Sequence, residues 1–253
     1  MLEERMSRYV AALVASAGSS FTRAMTLLPK ERREAILAVY AFCRLVDDAA
    51  DESANAAHAL ERLDYWEKEV GRIFAGTTRH PVGEALALAV RQYEIPEALF
   101  HEIIAGCRMD ANGLMVAPDN ETLQLYCHRV AACVGLICVR VFGCRHPGSE
   151  TFAMHLGQGL QRINILRDAH EDAGRGRVYF PREWFEEMGL SKERFPHFPE
   201  FKALSIRMAE DAKRHLTLSR LSAPAEDARA LRPALLMRRA YESKLEKLLS
   251  MSQ

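Results

Sequence analysis

Carboxylates recur in two tight clusters, Asp47-Asp48-Ala49-Ala50-Asp51 and Asp168-Ala169-His170-Glu171-Asp172. Within each, aspartates four residues apart share one face if the segment is helical. Crowded like charges repel there, at roughly 0.2–0.5 kcal/mol per close pair. Both clusters also stand near the expected C-terminal end of their helix, where the macrodipole disfavours negative charge. A hard cation reverses both penalties, because Mg²⁺ selects carboxylate oxygens and bridges them to substrate phosphates. Two clusters in matching context point to metal-dependent chemistry on a diphosphate.

Neighbouring residues extend each cluster into a stripe. Ile36, Tyr40, Arg44, Asp47 and Asp51 follow helical spacing, as do Gly157, Gln161, Asn164, Asp168 and Asp172. The first stripe admits a second interpretation, a solvated face on which Arg44 simply pairs with Asp48. The second runs through Leu156, Leu160, Ile163, Ile165 and Leu166, a segment apolar enough to be buried. Buried amides and carboxylates there need partners or a metal. Arg167 either neutralises Asp168 or reaches a phosphate. The stretch Ala173-Gly174-Arg175-Gly176-Arg177-Val178-Tyr179-Phe180-Pro181 suits a mobile loop over an anion, or a helix C-cap with basic residues, or both. Ser19 and Ser20 either cap a helix or hydrogen-bond a phosphate.

Other searches narrow the field. Gly157-Gln158-Gly159-Leu160-Gln161-Arg162 begins like a dinucleotide fingerprint but ends in arginine within a helical pattern. The chain carries no Walker A loop, HExxH motif or nucleophile elbow. His170 lies inside the second cluster, where metal ligation competes with a surface or packing role. Lysines and arginines balance aspartates and glutamates at 34 each, so no electrostatic footprint for nucleic acid exists. The six cysteines lack zinc-site spacing and read as buried free thiols of a reducing compartment. The N-terminus makes a poor signal peptide, and no run approaches the roughly 18 apolar residues that span a bilayer. The chain is expected to be cytoplasmic, with peripheral membrane contact open.

The elements that must position these residues are helices. Apolar residues recur with a 3.6-residue period, and glycine and proline are sparse. The pattern predicts helices over about 30–52, 56–75, 81–93, 96–108, 120–143, 149–172, 198–221 and 226–250. There is no alternating strand, internal repeat or low-complexity linker. Short connections favour antiparallel neighbours, so an all-α bundle forming a single domain over 1–253 is expected.

Three stretches resemble the squalene/phytoene synthase family of head-to-head prenyl transferases. They are Leu28-Pro29 with Tyr40-Ala41-Phe42-Cys43-Arg44-Leu45-Val46-Asp47-Asp48-Ala49-Ala50-Asp51-Glu52, then Tyr126-Cys127-His128-Arg129-Val130-Ala131 with Val134-Gly135, and residues 161–181 from Gln161-Arg162-Ile163-Asn164 to Tyr179-Phe180-Pro181. A weaker match, Leu231-Arg232-Pro233-Ala234 with Met237 and Tyr241, extends it to the last helix. The resemblance implies an isoprenoid-synthase bundle with a central cavity. It implies Mg²⁺ held by Asp47, Asp51, Asp168 and Asp172, with Asn164 and Gln161 assisting, and two farnesyl diphosphates as substrates. Arg44, Arg167 and Arg177 would contact diphosphate oxygens; Ser19, Ser20, Tyr40, Tyr126, Tyr179 and Tyr241 would line the same site. The first motif is most similar to the bacterial branch that makes presqualene diphosphate. The alternatives are a squalene synthase that also uses NADPH, a phytoene or dehydrosqualene synthase, a terpene cyclase, and a non-enzymatic assembly factor of the same fold. Two residues depart from the family pattern, Arg162 and His170. Arg162 faces away from the acidic stripe and bears on packing.

Overall fold

The computed structural model describes residues 24–197 and 200–251. Helices dominate them: α1 (Lys30–Asp51), α2 (Ala56–Ala75), α3 (Pro81–Gln92), α4 (Glu97–Ala111), α5 (Asn120–Cys127), α6 (Cys133–Phe142), α7 (Gly148–Gly174), α8 (Arg182–Glu187), α9 (Glu200–Ser222) and α10 (Arg232–Met251). A five-residue π turn, His128–Ala132, joins α5 to α6 without interrupting the helical path. The expected helices are present, and the two stripes lie on α1 and α7 as their spacing requires.

Local chemistry explains the helix starts. Asn55 and Asp119 cap α2 and α5 by accepting the backbone N–H of His58 (3.0 Å) and Thr122 (2.7 Å). Pro81 opens α3 at its first turn, where its missing N–H costs nothing. On α1, Ile36, Val39, Phe42 and Val46 turn inward, and Phe42 meets Trp66 and Phe100 edge-on at 5.6 and 5.2 Å.

The long α7 packs along α9 on one side and against the π turn and α6 on the other. Two glycines permit this. A Cβ at Gly157 would stand 2.6 Å from Ala132 Cα, and one at Gly159 would stand 3.0 Å from Leu216. The glycine pair that begins like a nucleotide fingerprint is thus a helix-packing device. Arg162 points to α9, buried, and pairs with Asp211 and Gln158.

The structure differs from the sequence expectation in three places. Residues 226–231 form turns rather than the start of α10, because Asp227 serves as a distant cap. Its carboxylate accepts the N–H groups of Arg145 and His146 (2.9 Å each) and the Ser149 hydroxyl (2.7 Å) at the beginning of α7. The short α8 escapes a periodicity argument at six residues. The 23-residue path from Asn120 to Phe142 is long and apolar enough to cross a membrane by composition, contrary to the expectation of no such run. Half of its apolar window is buried inside the bundle.

Candidate active site

Two chambers of similar size meet between α1, α7 and the π turn. The polar one, about 560 Å³, is walled by Asp47, Asp48 and Asp51 of α1, Asp168, Glu171 and Asp172 of α7, and Asp110, Tyr126, Arg177 and Tyr179. The apolar one, about 530 Å³, is walled by Val134, Cys138 and Phe142 of α6, Phe152, Leu156 and Leu160 of α7, and Ala234, Met237 and Tyr241 of α10. Tyr40, Cys43, Arg44, Val130, Gln161, Asn164 and Arg167 belong to both walls. Both volumes fall in the roughly 300–1,000 Å³ range of small-molecule sites.

The acidic stripes therefore face a common space, and arginines neutralise them. Arg44 donates to Asp48 at 2.6 Å and stands 3.7 Å from Asp47, so the pairing that competed with a shared stripe is present too. Arg177 donates to Asp51 at 2.6 Å and Arg175 at 2.9 Å, while Arg175 also reaches Glu171 at 2.8 Å. Arg167 grips Asp168 with two bonds of 2.6 and 2.5 Å. Asn164 donates to Gln161 at 3.4 Å, and Tyr241 lies against both Asn164 and Arg167.

Loops bring the arginines in. α7 ends in a Schellman-type cap: Gly176 has φ +78°, its N–H meets Ala173 O, and the Arg177 N–H meets Asp172 O at 2.9 Å. The C-cap expected within 173–181 is formed. Immediately after it, Val178 N–H donates to Met115 O and Ala117 N–H donates to Val178 O, both at 2.8 Å. Residues flanking Val178 in this extended segment point the same way, so Arg177 and Tyr179 both reach Asp110.

Electrostatic strain concentrates on three carboxylates. Asp47 is pushed up to about 7, although half its side-chain surface (53%) opens to the chamber. Desolvation by the surrounding walls is the larger cause and repulsion from Asp51 the next. Asp172 is likewise raised to about 7, by burial and then Asp168, against the pull of Arg177. Asp110 rises to about 6 through burial, with Arg177 and the hydroxyls of Tyr179 and Tyr126 opposing.

The donor set fits a hard divalent cation. Four aspartates from two helices line one chamber, and the buried Asn164 Oδ1 has no hydrogen-bond partner. With arginines holding the carboxylates, no three His, Cys, Asp or Glu side chains among the described residues converge on one point. His170, exposed, lies against Phe201 with ring centroids 4.7 Å apart and planes tilted by 55°, a surface contact. All six cysteines are free.

Of the residues singled out from sequence, Tyr40, Arg44, Asp47, Asp51, Tyr126, Gln161, Asn164, Arg167, Asp168, Asp172, Arg177 and Tyr179 line the polar chamber. Tyr241 lines the apolar one. Ser19 and Ser20 lie outside the described residues. Asp110 was missed: it has no carboxylate neighbour at helical spacing, and its partners Tyr126 and Tyr179 are 16 and 69 residues away.

Comparison with known proteins gives consistent results. A family model described as squalene/phytoene synthase matches residues 14–251. The chain is 41% identical over 190 residues to a presqualene diphosphate synthase of Zymomonas mobilis, covering 74% of this chain and 64% of that one. It is 39% identical over 174 residues to the presqualene diphosphate synthase of Rhodopseudomonas palustris, covering 69% and 62%. The matches thus span a little under two thirds of those relatives' lengths. The crystal structure of a squalene synthase from Alicyclobacillus acidocaldarius superimposes with a TM-score of 0.85 at 25% identity, over 98% of this chain and 94% of that one.

Proposed function

This chain belongs to the squalene/phytoene synthase family, and from that premise we propose that it condenses two farnesyl diphosphates head-to-head to presqualene diphosphate. What carries the proposal is the junction of the chambers: an acidic, arginine-rich space shares walls with an apolar space of similar volume. A prenyl diphosphate is amphipathic in the same way.

Mg²⁺ would be held by Asp47, Asp51, Asp168, Asp172 and the Asn164 amide oxygen, with Gln161 behind it. Once bound, it would neutralise the diphosphate and lower the cost of its departure as an anion. The side chains supply the rest. Arg44, Arg167 and Arg177 hand their charge from carboxylates to diphosphate oxygens, orienting the leaving group at the chamber junction. The apolar walls from Val134 to Phe142 and from Phe152 to Leu160 keep both tails extended and exclude water from the allylic cation. Tyr40, at the junction, offers a ring face worth about 0.5–2 kcal/mol to that cation. The second substrate's double bond attacks, and loss of a proton closes the cyclopropane. Tyr126 and Tyr179 stand in the polar wall, where a proton acceptor is needed. Tyr241 braces Arg167 and Asn164.

The test is incubation of the purified protein with farnesyl diphosphate and Mg²⁺, with and without NADPH, and identification of the product by mass spectrometry. Presqualene diphosphate under both conditions is expected. Squalene formed only with NADPH would mark a full squalene synthase. A C40 product from geranylgeranyl diphosphate, with none from farnesyl diphosphate, would overturn the substrate, and no condensation at all would overturn the proposal.

A further inference from the structure

Asp110 occupies the last turn of α4 with only 7% of its side chain exposed. Its Oδ1 accepts the Tyr179 hydroxyl at 2.6 Å and its Oδ2 accepts the Tyr126 hydroxyl at 3.0 Å. The two phenol oxygens are 3.4 Å apart and their rings 5.0 Å apart. On its remaining side Arg177 Nε lies 3.8 Å from Oδ1, and the same guanidinium binds Asp51 at 2.6 Å. One carboxylate therefore gathers α4, α5 and the segment after α7 at the polar wall.

The hydrogen-bond inventory fixes the direction of these contacts. An ionised carboxylate can only accept, and each phenol has a single hydrogen to give. The Tyr126 hydroxyl also lies within hydrogen-bond reach of the Tyr179 oxygen at 3.4 Å, but the shorter 3.0 Å bond to a charged carboxylate is the stronger and takes its hydrogen. Both hydrogens thus go to Asp110, and both phenol oxygens turn their lone pairs away from it. Since both tyrosines line the polar chamber, those lone pairs are available to a ligand there. Left to itself, a tyrosine hydroxyl rotates freely between donating and accepting.

We propose that Asp110 is a positioning residue that holds Tyr126 and Tyr179 as hydrogen-bond acceptors, so that their oxygens receive the proton lost in ring closure. The inference rests on the head-to-head condensation proposed above. In the step, the C–H bonding pair becomes the last ring bond. The proton moves to a phenol oxygen while that phenol's own proton passes to the Asp110 carboxylate. Charge and atoms balance: a cation and a carboxylate become a neutral ring and a carboxylic acid. Water entering after product release takes the proton away.

The experiment measures cyclopropyl product formed per diphosphate released, in wild type and in Asp110→Asn, with farnesyl diphosphate and Mg²⁺. Complete coupling gives one product per diphosphate released. An amide of the same shape cannot accept from both phenols, so one hydroxyl must turn its hydrogen elsewhere. The ratio is expected to fall by about a hundredfold, the low side of what a placed general base contributes, with the balance appearing as the C30 alcohol formed when water captures the coupled cation. A residue that merely supported the fold would lower product and diphosphate together and leave the ratio alone. That outcome, or unchanged turnover, overturns the proposal. Should Asp110→Asn fail to fold by circular dichroism, Tyr126→Phe with Tyr179→Phe removes only the two hydroxyls. Loss of coupling in that variant supports the proposal and retained coupling overturns it. Wild type that releases no diphosphate refutes the condensation itself, a result separate from either variant's ratio.

Discussion

Gly157→Ala and Gly71→Ala make the same chemical change in the middle of two helices and should move stability in opposite directions. At Gly71, on the exposed face of α2, an added Cβ would meet nothing within 4 Å. Only the backbone-entropy term changes there, and alanine is favoured by about 0.8–1 kcal/mol. At Gly157 the same methyl would stand 2.6 Å from Ala132 Cα, 2.7 Å from Ala132 N and 2.8 Å from Ala131 C. These are backbone atoms of the π turn, which cannot rotate away as a side-chain tip would. Overpacking of this kind costs about 1–3 kcal/mol, and a backbone obstacle puts it at the upper end. Subtracting the helix gain of about 1 kcal/mol leaves a net loss of about 2 kcal/mol. For a chain of this length each kcal/mol moves the melting temperature by about 2–4 °C. Differential scanning calorimetry should therefore find Gly71→Ala raised by about 2–4 °C and Gly157→Ala lowered by about 4–8 °C. A Gly157→Ala protein as stable as wild type, or shifted in the same direction as Gly71→Ala, would refute the close approach of α7 to the π turn.

Asp51→Asn and Asp168→Asn should each abolish turnover while circular dichroism stays that of the folded bundle; near-normal activity with Mg²⁺ present would refute the metal assignment. Asp47 and Asp172, both raised to about 7 from 3.8, bind more protons folded than unfolded. Their contribution to stability is then full below about 4 and lost as pH rises through about 7 in the cation-free protein. Because Mg²⁺ requires the ionised forms, its binding at pH 6.5 should release protons, seen as a calorimetric heat that depends on the buffer's ionisation enthalpy. Identical heats in two buffers would contradict this. Arg162→Met strips one partner from a buried pair, an effect of about 3–5 kcal/mol. The lower end applies because Arg214 still reaches Asp211 at 2.7 Å. Urea denaturation checks the value, and Arg162→Met with Asp211→Leu should recover most of the loss.

Spacing made the two acidic stripes legible, because a helix converts steps of three and four residues into a shared face whatever surrounds it. The same arithmetic placed Gln161 and Asn164 beside Asp168. It also left Arg44 open between a shared chemical stripe and a solvated face on which it simply pairs with Asp48, since helical spacing alone does not tell the two apart. Asp110 was invisible for the opposite reason. Its role comes from a tertiary meeting of α4, α5 and the chain after α7, pinned by two backbone bonds around Val178. The turns over 226–231 likewise depend on Asp227 reaching the start of α7 across some eighty residues. Nothing in local periodicity reports such a partner. The π turn left no trace in sequence either, because one additional residue barely perturbs an apolar pattern 23 residues long.

That turn also sets the angular alignment of the chamber wall. Tyr126, Val130, Val134, Cys138 and Phe142 follow one another in steps of four, from the polar chamber to the apolar one. An α-helix overshoots by about 40° at every such step, so an unbroken helix would carry the row round toward its opposite side. A turn wider by one residue runs the drift backwards once, over His128–Ala132, and keeps the row aimed inward. The segment behaves as a vernier between two rulers. Loss of one residue there would rotate Tyr126 against Cys138 by about 100° while changing no side chain's identity. Length at this point is thus as strict a requirement as any aspartate, and a variant with every site residue intact can still be without a site.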